Sequence, residues 1–287
     1  MTLNLLASVQ WDKVGIVIGI AAGLAVVFAV LILLVSKFCA VKTDEKVSAI
    51  SEQLAGANCG GCGYAGCEGF AKALAEGKAD ITACGPTPNE NKAKIAEILG
   101  VEFAASEPVY AVVACAGGER AKNKYNYVGN DGCLAEGMYL GGRKKCSYGC
   151  MGEGTCADVC PYGAVHVKDG VSLVDKALCE ACGLCVKNCP KKIISLIPKS
   201  AKVYVACSTP CRGKDTMSVC EVGCIGCGLC QEICPCGAIT LTEGRPRWTK
   251  SQCVRCLGCL HRCPAGAIHW KKATEDRGRY YNPRVEP

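Results

Sequence analysis

Residues 224–235 read CIGCGLCQEICP and residues 253–264 read CVRCLGCLHRCP. Each is C-x2-C-x2-C-x3-C-P, a run that holds a [4Fe–4S] cube, with the fourth cysteine of one run serving the cluster of the other. The spacing groups Cys224, Cys227 and Cys230 with Cys263, and Cys253, Cys256 and Cys259 with Cys234. Such a crossing ties two half-repeats into one domain. Zinc sites show separated C-x2-C pairs rather than four-cysteine runs.

The same pattern occurs upstream. Moved 74 residues along the chain, Cys179, Cys182, Cys185 and Cys189 fall on Cys253, Cys256, Cys259 and Cys263, and Cys160-Pro161 falls on Cys234-Pro235. Internal repetition of this kind means a duplicated structural unit. One half-motif departs: Cys150 and Cys156 fall on Cys224 and Cys230, but Glu153 stands where Cys227 stands. Cys146 is the substitute we expect, so the first pair is read as Cys146, Cys150, Cys156 and Cys189, then Cys179, Cys182, Cys185 and Cys160. A three-iron cluster lacking one corner is the alternative.

A third block begins with NCGGCGYAGCEGF at 58–70. Cys59, Cys62 and Cys67 are followed, after a helical pattern, by Cys84 and the turn residues Gly85-Pro86. Four cysteines suit a four-coordinate zinc or an iron–sulfur cube. The glycines let backbone wrap closely around it.

These assignments use 20 of the 27 cysteines and imply five clusters. Cys39, Cys115, Cys133, Cys207, Cys211, Cys220 and Cys236 remain. The 74-residue shift maps Cys133 to Cys207 and Cys146 to Cys220, so a sixth cluster is conceivable. Buried thiols packing as small hydrophobes is the reading we take for them. The odd count and close pairs argue against a disulfide scaffold, and reduced thiolates suit a cytoplasmic setting. The formal charge of +7 does not indicate nucleic acid. Each cluster with its four thiolates carries about −2, and five bring the sum to roughly −3. Ten Lys or Arg between 245 and 284, against Glu275 and Asp276, form either a solvated face or a docking patch for an acidic protein.

Residues 14–35 read VGIVIGIAAGLAVVFAVLILLV, uncharged and without a polar stripe. As a helix this run is about 33 Å long, the thickness of a hydrocarbon core. Lys37, Lys42 and Lys46 follow it and only Lys13 precedes it, which puts the bulk of the chain in the cytoplasm. Gly15, Gly19 and Gly23 share one face, where another membrane helix could approach closely. The expected architecture is α+β. It comprises a transmembrane anchor (1–39), a four-cysteine 4Fe-4S domain (40–100) and a linker or small α/β region (101–145). Two ferredoxin-like pairs (146–200 and 201–272) and a basic tail (273–287) follow.

No dinucleotide fingerprint or P-loop appears, and no nucleophile stands beside a base. His261 lies inside a cysteine run that completes its own coordination. The chain reads as a wire for single electrons. The apolar N-terminal run, the CGGCGYAGC…C block and the tandem ferredoxin runs together resemble the B subunit of the Rnf complex in its long, multi-cluster form. The four-cysteine block also resembles the iron–sulfur module of the corrinoid iron–sulfur protein, which moves Cys59, Cys62, Cys67 and Cys84 from zinc to [4Fe–4S]. The resemblance implies an ion-translocating ferredoxin:NAD+ oxidoreductase in the bacterial plasma membrane. There the B subunit takes electrons from soluble reduced ferredoxin and passes them to membrane partner subunits, while flavin and NAD sit on other subunits. A polyferredoxin-like component of a membrane hydrogenase or formate dehydrogenase is the alternative within electron transfer, and a zinc-rich nucleic-acid module the alternative outside it.

Overall fold

The structure, a computed structural model, describes residues 11–38, 44–201, 203–271 and 280–281. Cys39 and the expected basic tail from 273 lie outside them, Tyr280 and Tyr281 apart. The chain divides into two units, Met1–Glu45 and Lys46–Pro287.

The first unit carries α1, Trp11–Phe38. Its described side chains are exposed, Ile20, Val26 and Leu33 among them. Among the described residues no helix is long and apolar enough to cross a membrane. A Cβ added at Gly15, Gly19 or Gly23 would meet nothing within 4 Å.

The second unit opens with three helices: α2 (Glu45–Gln53), α3 (Cys67–Ala75) and α4 (Asn89–Leu99). Phe70 and Leu74, one turn apart on α3, bury with Ile50 and Ile95 in a common core. α4 stops at Gly100, whose φ of 71° lets its N–H return to Ala96 O.

Two similar ββ-and-helix units follow. β1 (Val109–Val113) pairs antiparallel with β4 (Ile194–Pro198), in the register Val109↔Pro198. Between them lies the hairpin of β2 (Val165–Lys168) and β3 (Val171–Val174). In the second unit β5 (Val203–Val205) pairs with β8 (Ile268–Lys271), which also pairs with β9 (Tyr280–Tyr281). Its hairpin is β6 (Ile239–Thr242) with β7 (Arg245–Trp248). The two hairpin turns are Asp169-Gly170 and Glu243-Gly244, with positive φ at all four residues. That is the type I′ pattern, and glycine at the second position is what makes it cheap. The segment 101–145, expected as a linker or small α/β region, contains β1, which pairs with β4 of the first pair, and α5 (Cys133–Met138).

Short helices deliver the cysteines. α6 (Thr155–Asp158), α7 (Leu184–Asn188), α9 (Leu229–Glu232) and α10 (Gly258–Arg262) each follow a left-handed residue: Gly154, Gly183, Gly228 and Leu257. Each helix carries a buried cysteine at its second position: Cys156, Cys185, Cys230 and Cys259. The remaining helix, α8 (Gly213–Val219), lies between β5 and the last cysteine block.

Candidate metal centres

Four cavities of similar size open among the cysteines, at about 370, 330, 320 and 370 Å3. In the first, Cys224, Cys227 and Cys230 meet Cys263 from the other run. In the third, Cys179, Cys182 and Cys185 meet Cys160. Both sets cross between half-repeats, because the third cysteine rides a short helix while the fourth sits just past the helix of the opposite half.

The second cavity brings together a set that differs from the grouping expected for the first pair. It is lined by Cys133, Cys150, Cys156 and Cys189, and Cys146 lines the fourth cavity instead. Cys133 lines this cavity together with the two cysteines, Cys150 and Cys156, between which the repeat has Glu153. The Cys133 N–H donates to Thr155 Oγ1 (2.8 Å), which docks α5 against α6. On the same helix Glu136 is fully buried, and its Oε1 accepts from the Arg143 N–H (2.7 Å). Arg143 also pairs with Glu153 and donates from Nη2 to Met151 O (3.0 Å). Glu153 is therefore half of an ion pair that clamps the Cys133 helix. The Ser172 hydroxyl lies 3.1 Å from Cys156 Sγ and 3.8 Å from Cys150 Sγ.

The fourth cavity is lined by Cys115, Cys146, Cys207 and Cys220. Sequence spacing leaves three of these, Cys115, Cys207 and Cys220, as plain buried thiols. The 74-residue relation of Cys146 to Cys220 is the available signal, whereas Cys115 has no cysteine-motif context at all.

Other contacts involve members of the remaining two cysteine sets. Cys253 and Cys256 act on the thiol of Cys259, and Cys234 Sγ lies 3.7 Å from Cys236 Sγ. In the first block Cys62, Cys67 and buried Cys84 pack on one core. Cys84 Sγ accepts from Thr87 Oγ1 (3.1 Å), and the Cys67 N–H donates to Asn58 Oδ1 (2.8 Å). Lys92, buried beside Cys84, has its pKa lowered by burial and partly restored by that thiol. Cys211 and Cys236 line none of the four cavities. All 26 described cysteines are free, and among the described residues no three His, Cys, Asp or Glu close on a single-ion site.

These cavities suit an iron–sulfur cube. Their donors are thiols, their other walls are mostly apolar, and glycines line the first, third and fourth. Burial pushes the thiols of Cys150 and Cys230 up to about 11, and those of Cys185, Cys207 and Cys259 up to about 12. Ligation must therefore displace protons, which couples binding to pH.

The sites stand in a file. The Tyr162 hydroxyl, its pKa raised first by burial, also feels Cys59, Cys84 and Cys182, so it lies between the first block and the third cavity. Gly61 and Gly85 abut Cys182 O and Ala181 O so closely that neither has room for a Cβ. Cys185 feels Cys156 across the first pair, as Cys259 feels Cys230 across the second. The Cys150 N–H donates to Cys115 Sγ (3.3 Å), joining the second and fourth cavities. Cys207 accepts from the Cys224 N–H, joining the fourth to the first.

Cysteine cavities in file, on a duplicated ββ-and-helix frame, define an iron–sulfur electron-transfer protein. Family models agree: one described as "Putative Fe-S cluster" matches residues 54–86, and one described as "4Fe-4S dicluster domain" matches 178–238 and 223–267. The B subunit of an ion-translocating oxidoreductase complex from Methanosarcina acetivorans is 38% identical over 241 residues, 83% of this chain and 91% of that protein. The B subunit of the Na(+)-translocating ferredoxin:NAD(+) oxidoreductase complex of Acetobacterium woodii is 37% identical over 83% of this chain and 72% of its own length. The B subunit of the proton-translocating ferredoxin:NAD(+) oxidoreductase complex of Clostridium ljungdahlii is 33% identical over 70% of this chain and 72% of its own. The chain belongs to the B-subunit family of ion-translocating oxidoreductase complexes, and is the electron-transfer component of a multi-subunit membrane-associated assembly.

Proposed function

We propose that this chain takes electrons from soluble reduced ferredoxin and delivers them to membrane partner subunits of a ferredoxin:NAD+ oxidoreductase. The observation that carries this is the file of cysteine sets running from the C-terminal pair to the four-cysteine block. Clusters are held by Cys253, Cys256, Cys259 and Cys234; by Cys224, Cys227, Cys230 and Cys263; by Cys133, Cys150, Cys156 and Cys189; by Cys179, Cys182, Cys185 and Cys160; and by Cys59, Cys62, Cys67 and Cys84. Bound there, [4Fe–4S] clusters supply one-electron redox chemistry. The chain's own residues do the rest. Thiolates anchor each cube, apolar walls exclude water, and hydroxyls such as Ser172 and Thr87 stand beside ligand sulfurs. The crossing fourth cysteine holds the two sets of a pair close together.

Entry is at the C-terminal pair, where Arg247, Arg255 and Arg262 are exposed and suit an acidic partner. The last two lie within the Cys253–Cys263 run. Exit is at the first block, which in sequence lies about 20 residues beyond the apolar run and so has limited reach. Residues 14–35 serve as a single-pass anchor in the plasma membrane with the bulk on the cytoplasmic side; their length, hydropathy and flanking lysines support this.

The test uses the anaerobically purified complex carrying Cys59→Ala. Reduced ferredoxin should still bleach most of the visible absorbance, while delivery to the membrane partner stops. Delivery at the wild-type rate would remove the first block from the route. The ferredoxin rate should also fall steeply with salt; a flat salt profile would reject the basic entry surface.

A further inference from the structure

We propose that Cys115, Cys146, Cys207 and Cys220 hold a sixth [4Fe–4S] cluster, seated between the two ferredoxin-like pairs. None of the four belongs to a complete cysteine run, and they come from four separate loops: after β1, before α6, after β5 and after α8. Those loops converge on one cavity of about 370 Å3 whose only metal-ligating side chains are these four thiols.

Three features of the cavity point to a sulfur-rich occupant. Gly117 lies against it: a Cβ there would come within 3.3 Å of Cys220 Sγ and 3.7 Å of Cys115 Sγ, so the backbone itself forms the wall. Cys115 Sγ accepts two backbone N–H groups, from Gly117 (3.4 Å) and Cys150 (3.3 Å). Hydrogen bonds of that kind to cluster sulfurs tune potential. Thr216 lines the cavity, is fully buried, and its Oγ1 has no hydrogen-bond partner among the described residues. A buried hydroxyl without an acceptor costs free energy, and a cluster sulfur would receive it.

The location supplies the role. Cys115 touches the second cavity through Cys150, and Cys207 touches the first cavity through Cys224. A cluster here closes the gap between the pairs, and single electrons cross without bonds forming or breaking. This role rests on the electron-transfer function proposed above, but the site itself does not.

The test is metal and sulfide content of the anaerobically purified full chain. Six cubes give about 24 iron and 24 sulfide per chain, five give about 20. The proposal expects the higher figure in the wild type. It expects a loss of about four iron and four sulfide in Cys207→Ala and in Cys220→Ala, and none in Cys211→Ala. Wild type at the lower figure overturns the sixth cluster, and does so as zinc chemistry if one zinc accompanies it. Loss of iron in Cys211→Ala overturns the ligand set. Should the cysteine variants not accumulate, Thr216→Val keeps all four thiols and all the iron. It should move one redox transition to lower potential in a spectroelectrochemical titration; superimposable titrations overturn the hydroxyl's contact. Wild-type iron at the higher figure, lost by about four in Cys220→Ala while transfer stays at the wild-type rate, would keep the cluster and reject its relay role.

Discussion

Arg143→Met should loosen the helix that brings Cys133 to the second cavity. Glu136 on that helix is fully buried; its Oε1 accepts from the backbone N–H of residue 143, and its Oε2, 3.5 Å from the Arg143 guanidinium, has no hydrogen-bond partner among the described residues. Removing the guanidinium strands a buried carboxylate and leaves the Glu153 carboxylate without its partner. Breaking a buried pair this way costs about 3–5 kcal/mol. Since 1.4 kcal/mol is a factor of ten, local opening should rise by roughly two to three and a half decades. Two assays on the holoprotein read this: amide exchange over residues 133–143, and chelator-driven iron release. Arg143→Met should accelerate both, with about four iron leaving first. Combining it with Glu136→Leu should restore much of the loss, since apolar replacement of a buried pair is often neutral. Glu153→Gln keeps an acceptor at a partly exposed position and should cost no more than about 1 kcal/mol. Unchanged exchange and iron release in Arg143→Met would refute the clamp.

Gly85→Ala should separate the first block from the first pair, because its Cβ would collide with Ala181 O, a backbone atom; overpacking costs about 1–3 kcal/mol. Gly69→Ala, helical with nothing within 4 Å, is the control and should be neutral or stabilising, as read by thermal melting and amide exchange around Cys59. His269 has its pKa lowered to about 4 by burial, with Arg120 adding to it. Its folded value lies below the unfolded one, so the unfolded chain binds the proton more readily. The stability it lends is complete above about pH 6.5 and is lost as pH falls towards 4, amounting to about 3 kcal/mol. His269→Phe should show a shallower acid dependence of stability than wild type in denaturant titrations run between about pH 4 and 7; identical slopes would reject this. Gly19→Leu should weaken co-purification with membrane partner subunits, and unchanged recovery would remove the glycine face of α1 as a packing surface.

The complete cysteine runs were legible because their spacing is dictated by local geometry. A short helix behind a left-handed residue places the third cysteine, and the hairpins between runs announce themselves through Asp169-Gly170 and Glu243-Gly244. Position 101–145 was not legible. β1 is a single five-residue strand whose partner, β4, lies more than 80 residues away, and no local pattern reports a pairing of that separation. Cys133 and Cys115 failed to register for the same reason: each reaches its cavity through tertiary contacts, at Thr155 and Cys150 respectively. Nearness in sequence favoured Cys146 over Cys133 as the replacement for the missing ligand, and space reversed that order.

The exception at Glu153 also accounts for the composition of the bridging site. Under the 74-residue shift, Cys133 and Cys146 correspond to Cys207 and Cys220. Full symmetry between the copies would line the fourth cavity with those four. Three of them do line it, but Cys133 lines the second cavity, and Cys115 stands in the fourth in its place. One substitution in a cysteine run is thus matched by two displacements: Cys133 where position 153 has Glu, and Cys115 where Cys133 would otherwise be. This chain of replacements can be tested by restoring symmetry. Glu153→Cys alone removes the Arg143–Glu153 ion pair, so it should lower stability modestly even though it recreates C-x2-C-x2-C. Glu153→Cys with Cys133→Ala should retain the iron that Cys133→Ala alone loses, about four per chain. Iron contents that are equal in the single and double variants would show that position 153 cannot reach the cavity, and that the two copies differ there in backbone as well as in side chain.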